Sequence, residues 1–168
     1  MKTILSIFVA GISIMGFASA IWADHHGHLP KSGTISWFTG WGDVNKHHSD
    51  VADGAVHGVG IVTGISYNDS GSGPLHMGAA QCVYSYHVNN SDTRNKGYCY
   101  FSDADGDRIF TDWTGDPAAN NGGGEGVNTI AGGTGKYTGI TGSGPWKCSW
   151  AGANGELHCN QSLTYQLP

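Results

Sequence analysis

Four aspartates cluster in the segment DADGDRIFTD, residues 103–112, and could bind a hard cation. Asp103, Asp105 and Asp107 reproduce the alternating start of a calcium-binding loop, which supplies carboxylate oxygens to the ion. The glycine, however, stands at the fourth position instead of the sixth, and Thr114 stands where such a loop has its glutamate. An Asp-Gly turn between two strands explains the same letters without a metal. We therefore predict a turn and keep calcium as the alternative.

Histidines form two further clusters that could bind a transition metal. His25, His26 and His28 lie near the N-terminus, and His47 and His48 lie in the polar stretch NKHHSD. Neutral imidazole suits zinc, copper and nickel, so the two clusters could share an ion if they meet. The first cluster falls in a segment that we predict to be flexible, because chain termini are poorly ordered by default. We expect no resident metal and no other cofactor, with these histidines as the metal alternative.

Ionisable side chains on strands could supply acid–base chemistry inside a β-structure. Alternation gives the segment DRIFTDWT two faces, which are Arg108, Phe110 and Asp112 on one side and Ile109, Thr111 and Trp113 on the other. Both faces carry an aromatic residue, so the pattern leaves open which face is inside. A buried Asp112 beside Arg108 could act as a general acid or anchor an anion. We favour the alternative of a solvated cross-strand pair. The further candidates for a catalytic role are His87 and Glu125.

Aromatic residues are numerous enough to line a ligand cavity, although packing is the commoner use of tryptophan. The residues that we predict to bind a ligand are Tyr84, Tyr86, Tyr100, Phe110, Trp113 and Trp146. Further tryptophans that could contribute are Trp37, Trp41 and Trp150. No Ser-His-Asp or Cys-His pattern accompanies them, so the sequence indicates no particular reaction.

Four cysteines, Cys82, Cys99, Cys148 and Cys159, predict two disulfides in an oxidising compartment. Four cysteines allow three connectivities. We favour pairing within sequence neighbours, the first two with each other and the last two with each other, because each pair brackets an expected hairpin. Neither zinc-finger spacing nor a C-x-x-C pair is present, so we predict structural staples.

The N-terminus has the features of an export signal. An apolar run from Ile4 to Phe17 follows Lys2, and Ala18-Ser19-Ala20 has the A-x-A pattern of a cleavage site. We therefore predict a signal peptide over residues 1–20, a flexible His-rich segment over 21–31 and a secreted or periplasmic protein. No second apolar run of that length follows, so we predict no membrane span after cleavage.

The charge pattern argues against two classes of partner. The formal net charge is −5 at pH 7, and the 8 lysines and arginines are scattered along the chain. A surface for nucleic acid or for an anionic membrane needs clustered basic residues. We expect neither partner.

The elements that must position these residues are strands. The chain after the signal shows period-two alternation in several windows and no helical periodicity, so we predict an all-β domain over residues 32–168. A first strand is expected at Ser32–Thr39, a polar loop at Asn45–Asp50 and a second strand at Ala55–Tyr67, whose Gly58, Gly60 and Gly64 leave one face nearly bare. Further strands are expected at Leu75–Val88, GYCYFS, DRIFTDWT, Gly126–Ile130, Gly139–Trp150 and Leu157–Leu167. About eight antiparallel strands with short connections predict a small, disulfide-stapled closed barrel, because closure removes exposed edges.

The glycine-rich segment Gly132–Tyr137, GGTGKY, followed by Gly139 and Gly142, lacks the long helix and the Lys-Ser/Thr ending of a phosphate-binding loop. It resembles a motif of the allene oxide cyclase and dirigent protein superfamily, here in an exported, bacterial-type form. The match is specific over Gly126–Trp146, and the two disulfides and the His-rich start depart from the plant enzymes. The resemblance implies an eight-stranded antiparallel barrel with a hydrophobic lumen, often assembled as a homotrimer, in which the motif connects into the seventh strand.

Two classes of function follow, and the sequence does not establish whether the protein is an enzyme. We favour a barrel that binds an apolar small molecule in its lumen. The alternative, implied by the resemblance, is a cyclase, an isomerase or a dirigent-type protein that confines a reactive intermediate. A structural or protein-interaction module is the third option. Inward-facing Asp112, Glu125 or His87 would favour the enzyme, and an apolar, aromatic lumen would favour binding.

Overall fold

Eight antiparallel strands close into a barrel in the computed structural model, which describes residues 29–89, 93–118 and 123–168. The strands are β1 (Ser32–Ala52), β2 (Ala55–Asn68), β3 (Gly78–Val88), β4 (Thr93–Ser102), β5 (Arg108–Asp116), β6 (Glu125–Gly133), β7 (Thr141–Trp150) and β8 (Leu157–Gln166). Each strand pairs with its neighbour in sequence, and β1 pairs with β8 to close the ring. The predicted all-β, eight-stranded barrel is thus confirmed. The predicted signal peptide lies outside the described residues, as do His25, His26 and His28.

The first strand is much longer than predicted, with 21 residues. The segment Asn45–Asp50, expected as a loop, is part of β1 and pairs with β2, where His47 lies opposite Val59. Both faces of this part of β1 are exposed, so its sequence has no apolar alternation to reveal the strand. β1 therefore continues beyond β8 at one end of the barrel, which we call the open end.

The bare face of β2 accommodates aromatic rings from β3. A Cβ atom on Gly58 would lie 2.2 Å from Cζ of Tyr86, and one on Gly60 would lie 2.4 Å from Cζ of Tyr84. Glycine lets the rings lie flat against the strand, as aromatic residues do over glycines in other sheets. The two tyrosines are thereby held on the inner face of the barrel.

The opposite end, which we call the closed end, is filled by buried side chains. The largest of the fully buried ones are Trp37, Leu75, Phe101, Ile109, Tyr137 and Leu163. Trp37 meets Phe101 edge-to-face, with ring centres 5.1 Å apart. These side chains fill the lumen at the closed end.

The glycine-rich motif forms the connection from β6 into β7 at the closed end. Thr134 is followed by a single 3₁₀ turn, Gly135–Tyr137, and Gly135 has a φ of +53°, where a side chain is disfavoured. The acidic turn Asp103–Asp107 docks on this motif: Asp107 accepts a hydrogen bond from the amide of Lys136 at 3.1 Å. In the described chain the motif therefore packs against a protein carboxylate.

Two disulfides cross neighbouring strands, as predicted. Cys82 bonds to Cys99 between β3 and β4, and Cys148 bonds to Cys159 between β7 and β8. Each joins residues that are direct partners in the sheet. Within the described ranges, no helix has the length and apolar character needed to cross a membrane.

Candidate functional site

The open end of the barrel contains a cavity of about 280 Å³. Its wall is dominated by aromatic side chains, which are Trp41, Tyr84, Tyr86, Trp113, Trp146 and Trp150. Val62 and Leu157 add aliphatic surface. A concave site with mostly apolar walls and few polar groups is the usual form of a small-molecule site.

Trp113 and Trp146 form one wall of the cavity and fix each other. Their rings meet edge-to-face, with centres 5.3 Å apart and an interplanar angle of 82°. The indole nitrogen of Trp146 also donates a hydrogen bond to the carbonyl of Thr114 at 3.3 Å. A Cβ atom on Gly115 would lie 2.2 Å from Cζ2 of Trp146, so the glycine leaves space for the ring. The wall is thus preorganised by its own packing.

The two disulfides also line the cavity. Because β3–β4 and β7–β8 are separated by two strands on either side of the ring, the sulfur atoms lie on opposing walls. Each bridge fixes the pair of strands that carries it. The sequence predicted the staples but not that they face the cavity.

A buried chain of hydrogen bonds forms the polar floor, at the level where the cavity meets the closed end. Asn128 donates to Gln161 at 3.1 Å, Gln161 donates to Thr39 at 3.1 Å, and the hydroxyls of Thr39 and Ser66 lie 3.0 Å apart. All four residues are buried. Because buried polar groups are costly unless paired, this network ties the four strands β1, β2, β6 and β8 to one another.

Charged groups lie at the rim of the cavity. The hydroxyl of Tyr84 donates a hydrogen bond to Oδ1 of Asp43 at 3.2 Å. Burial and the nearby Asp43 carboxylate raise the pKa of Tyr84 well above its usual value, so the hydroxyl stays protonated. The ammonium of Lys46 lies 5.7 Å from the centre of the Tyr86 ring. One acid and one base therefore border an otherwise aromatic cavity.

Four of the six predicted ligand-binding residues line this cavity: Tyr84, Tyr86, Trp113 and Trp146. The other two, Tyr100 and Phe110, lie opposite each other on the outer face of β4 and β5. Their orientation follows from the burial of Ile109 and Thr111, which turns the Trp113 face of β5 inward. The guanidinium of Arg108 lies 4.6 Å from the centre of the Tyr100 ring, outside the barrel.

None of the predicted catalytic candidates faces the lumen. Asp112 and Arg108 are exposed on the outer face of β5, as favoured, but they lie on the same strand and cannot form a cross-strand pair. His87 lies beside His57 on the outer face, with ring centres 6.2 Å apart. The carboxylate of Glu125 lies 3.5 Å from the ammonium of Lys147. These residues form no common constellation.

The metal candidates are also dispersed or otherwise bonded. Asp103 and Asp105 contact the ammonium of Lys136, and Asp107 bonds to the backbone of the glycine motif. His47 and His48 lie on the exposed part of β1. Among the residues that the structure describes, no group of three or more His, Cys, Asp or Glu side chains is placed to hold a metal ion.

Several cavity residues were missed by sequence reasoning. The rim residues Asp43 and Lys46 lie in or beside a predicted loop. The residues of the polar floor have no feature in the sequence that separates them from other polar residues on strands. The available signal was the alternation in β8, where Cys159, Gln161 and Leu163 share the inner face.

The site is that of a closed antiparallel barrel with an aromatic cavity at one end. The chain matches no protein-family model, and no curated protein was found to match it.

Proposed function

We propose that this protein binds an apolar small molecule in the cavity at the open end of its barrel, without a chemical step. The observation that carries the proposal is the aromatic wall of this cavity, made of the four tryptophans and two tyrosines named above. Transfer of apolar ligand surface from water onto such a wall contributes roughly 25 cal/mol per Å². A preformed wall keeps the ordering cost of binding low.

The cavity volume bounds the size of the ligand. About 280 Å³ is just below the range of roughly 300–1,000 Å³ that is usual for small-molecule sites. We therefore propose a compact ligand with an apolar or aromatic body. A polar substituent on it would be accommodated at the rim, near Asp43 and Lys46.

The enzymatic alternative is less well supported by the geometry. A cyclase or isomerase needs a positioned acid or base, and Asp112, Glu125 and His87 all face away from the lumen. The cavity carboxylate of Asp43 accepts a hydrogen bond from Tyr84 at the rim. A dirigent-type role, which needs shape more than acid–base groups, would still require a ligand in this cavity.

The assignment to a family and the assignment to a compartment are also proposals. The position of the GGTGKY motif directly before β7 of an eight-stranded barrel supports membership in the allene oxide cyclase and dirigent superfamily. The two disulfides support an oxidising compartment, secreted or periplasmic, reached after removal of residues 1–20. Assembly as a homotrimer stays a prediction from the resemblance.

Titration with N-phenyl-1-naphthylamine tests the binding proposal, because this neutral probe becomes fluorescent in apolar surroundings. We expect saturable binding of one probe per chain with a micromolar dissociation constant. Val62 lines the cavity, so the Val62→Phe substitution fills part of it and should weaken binding at least about tenfold.

The matched control is Val127→Phe, which adds the same volume at a side chain that is 49% exposed on the outside of β6. This variant should bind the probe as the wild-type protein does. Equal weakening by both substitutions, or no saturable binding by the folded wild-type protein, would overturn the proposal.

A further inference from the structure

The free edge of β1 is the largest unpaired stretch of backbone on any described strand of the ring. β8 pairs with β1 only from Ser32 to Trp41, whereas β2 pairs with it as far as Ala52. From Asn45 to Ala52, one edge of β1 is bonded to β2, and the other has no strand partner among the described residues. Every residue in this stretch is exposed.

An exposed edge of this kind is a template for pairing with another strand. Asn45–Asp50 contains no proline and pairs with β2 without a register shift, so its backbone is regular. Irregularities flank the stretch, one between Asp43 and Asn45 and one between Asp50 and Ala52. They limit added pairing to a short and defined segment.

Charged side chains on this segment make it complementary to itself. Alternation places Lys46, His48 and Asp50 on one face of the strand, with Lys46 and Asp50 equally far from His48. In an antiparallel pair of two identical strands centred on His48, Lys46 of each copy lies directly opposite Asp50 of the other.

We propose that two copies of this protein associate along the free edges of β1, antiparallel and centred on His48. The two-fold axis makes the contact isologous, so the Lys46–Asp50 pair occurs twice. Centring on Lys46 or on Asp50 would place like charges opposite each other, and a slip by one residue would put the paired side chains on opposite faces. Charged side chains on an edge strand discourage pairing with an unrelated strand. Here Lys46 and Asp50 also favour this register over the others.

The association also brings together apolar side chains at both ends of the paired segment. Val44 and Val51 flank the segment and are 62% and 57% exposed. Pairing would make the sheets of the two barrels continuous through β1. The contact is small, so we expect a reversible dimer in place of the homotrimer that the resemblance implies.

Sedimentation velocity on the disulfide-bonded protein, over a concentration series, tests the proposal by charge exchange. Asp50→Lys or Lys46→Asp alone places like charges opposite each other and should raise the dimer dissociation constant at least about tenfold. The double variant Lys46→Asp/Asp50→Lys restores opposite charges and should return the constant to within about threefold of the wild-type value.

Asp53→Lys is the matched control, because it makes the same charge change in the exposed turn after β1, outside the pairing segment. It should dimerise as the wild-type protein does. Near-ultraviolet circular dichroism identifies any variant that has lost its fold. A wild-type protein that stays monomeric at millimolar concentration would overturn the proposal. A double variant whose dissociation constant stays as high as those of the single variants would also overturn it. The same holds for an oligomer whose dissociation constant does not change with any of these substitutions.

Discussion

Asp103 shows how one side chain can connect three segments at the closed end of the barrel. Its carboxylate accepts hydrogen bonds from the hydroxyl of Tyr137, at 2.7 Å, and from the amide of Leu75. The ammonium of Lys136 also contacts it. Burial and the Asp103 carboxylate together raise the pKa of Tyr137, which keeps its hydroxyl protonated as a donor.

Removal of this carboxylate should be costly. Asp103→Ala leaves two buried donors without an acceptor, and we expect the free energy of unfolding to fall by about 2–5 kcal/mol. Asp105→Ala removes an ion pair to Lys136 at the surface and should cost less than about 1 kcal/mol. Denaturant unfolding with the disulfides intact measures both. Equal losses for the two variants would mean that the buried hydrogen bonds of Asp103 contribute no more than a surface ion pair.

The sequence predicted the turn that carries these aspartates but not the partners of their carboxylates. The turn at Asp103–Asp107 was predicted from its Asp-Gly pair, but the alternative use of its carboxylates was sought in a metal. Their actual partners, Lys136 and Tyr137, are remote in the sequence and come together only when β5 and β6 pair. Local spacing carries no information on such a contact.

The strands β1 and β2 approach each other closely at Gly64. A Cβ atom on Gly64 would lie 2.2 Å from the carbonyl oxygen of Gly40 and 3.0 Å from the ring of Trp41. Only glycine permits this approach of two backbones. At Gly40 itself, a Cβ atom would meet nothing within 4 Å.

These two glycines provide a matched pair of substitutions. Gly64→Ala forces the strands apart, so we expect the free energy of unfolding to fall by about 1–3 kcal/mol. Gly40→Ala introduces the same methyl group into open space and should be neutral or slightly stabilising. Chemical denaturation of both variants gives the comparison. A Gly64→Ala protein as stable as the wild-type protein would show that the close approach is not needed.

The order and number of the strands were predictable because most strands have one buried face. β1 beyond Trp41 was not, since both of its faces are exposed and apolar alternation is absent. The sequence also left undecided which face of β5 points into the barrel, because Phe110 and Trp113 give each face an aromatic residue. Burial of Ile109 and Thr111 decides it, and that burial depends on closure of the ring.

The whole molecule combines a filled end with a hollow one. Side chains pack the closed end, the hydrogen-bonded floor separates it from the cavity, and the disulfides hold two opposing walls. The disulfide pairing followed from the expected hairpins, whereas the cavity depends on how the inner faces of all eight strands meet. This is why the sequence predicted the barrel in outline and the residues of its cavity only in part.

Native mass spectrometry of the protein purified from its own host tests the central claim most directly. The proposal predicts an added mass equivalent to one apolar organic molecule per chain, released when the barrel is denatured. Its identification would give the ligand class directly. A folded chain that carries only its own disulfide-bonded mass, even after incubation with a lipid-soluble extract of that host, would contradict the claim and favour a structural or interaction role.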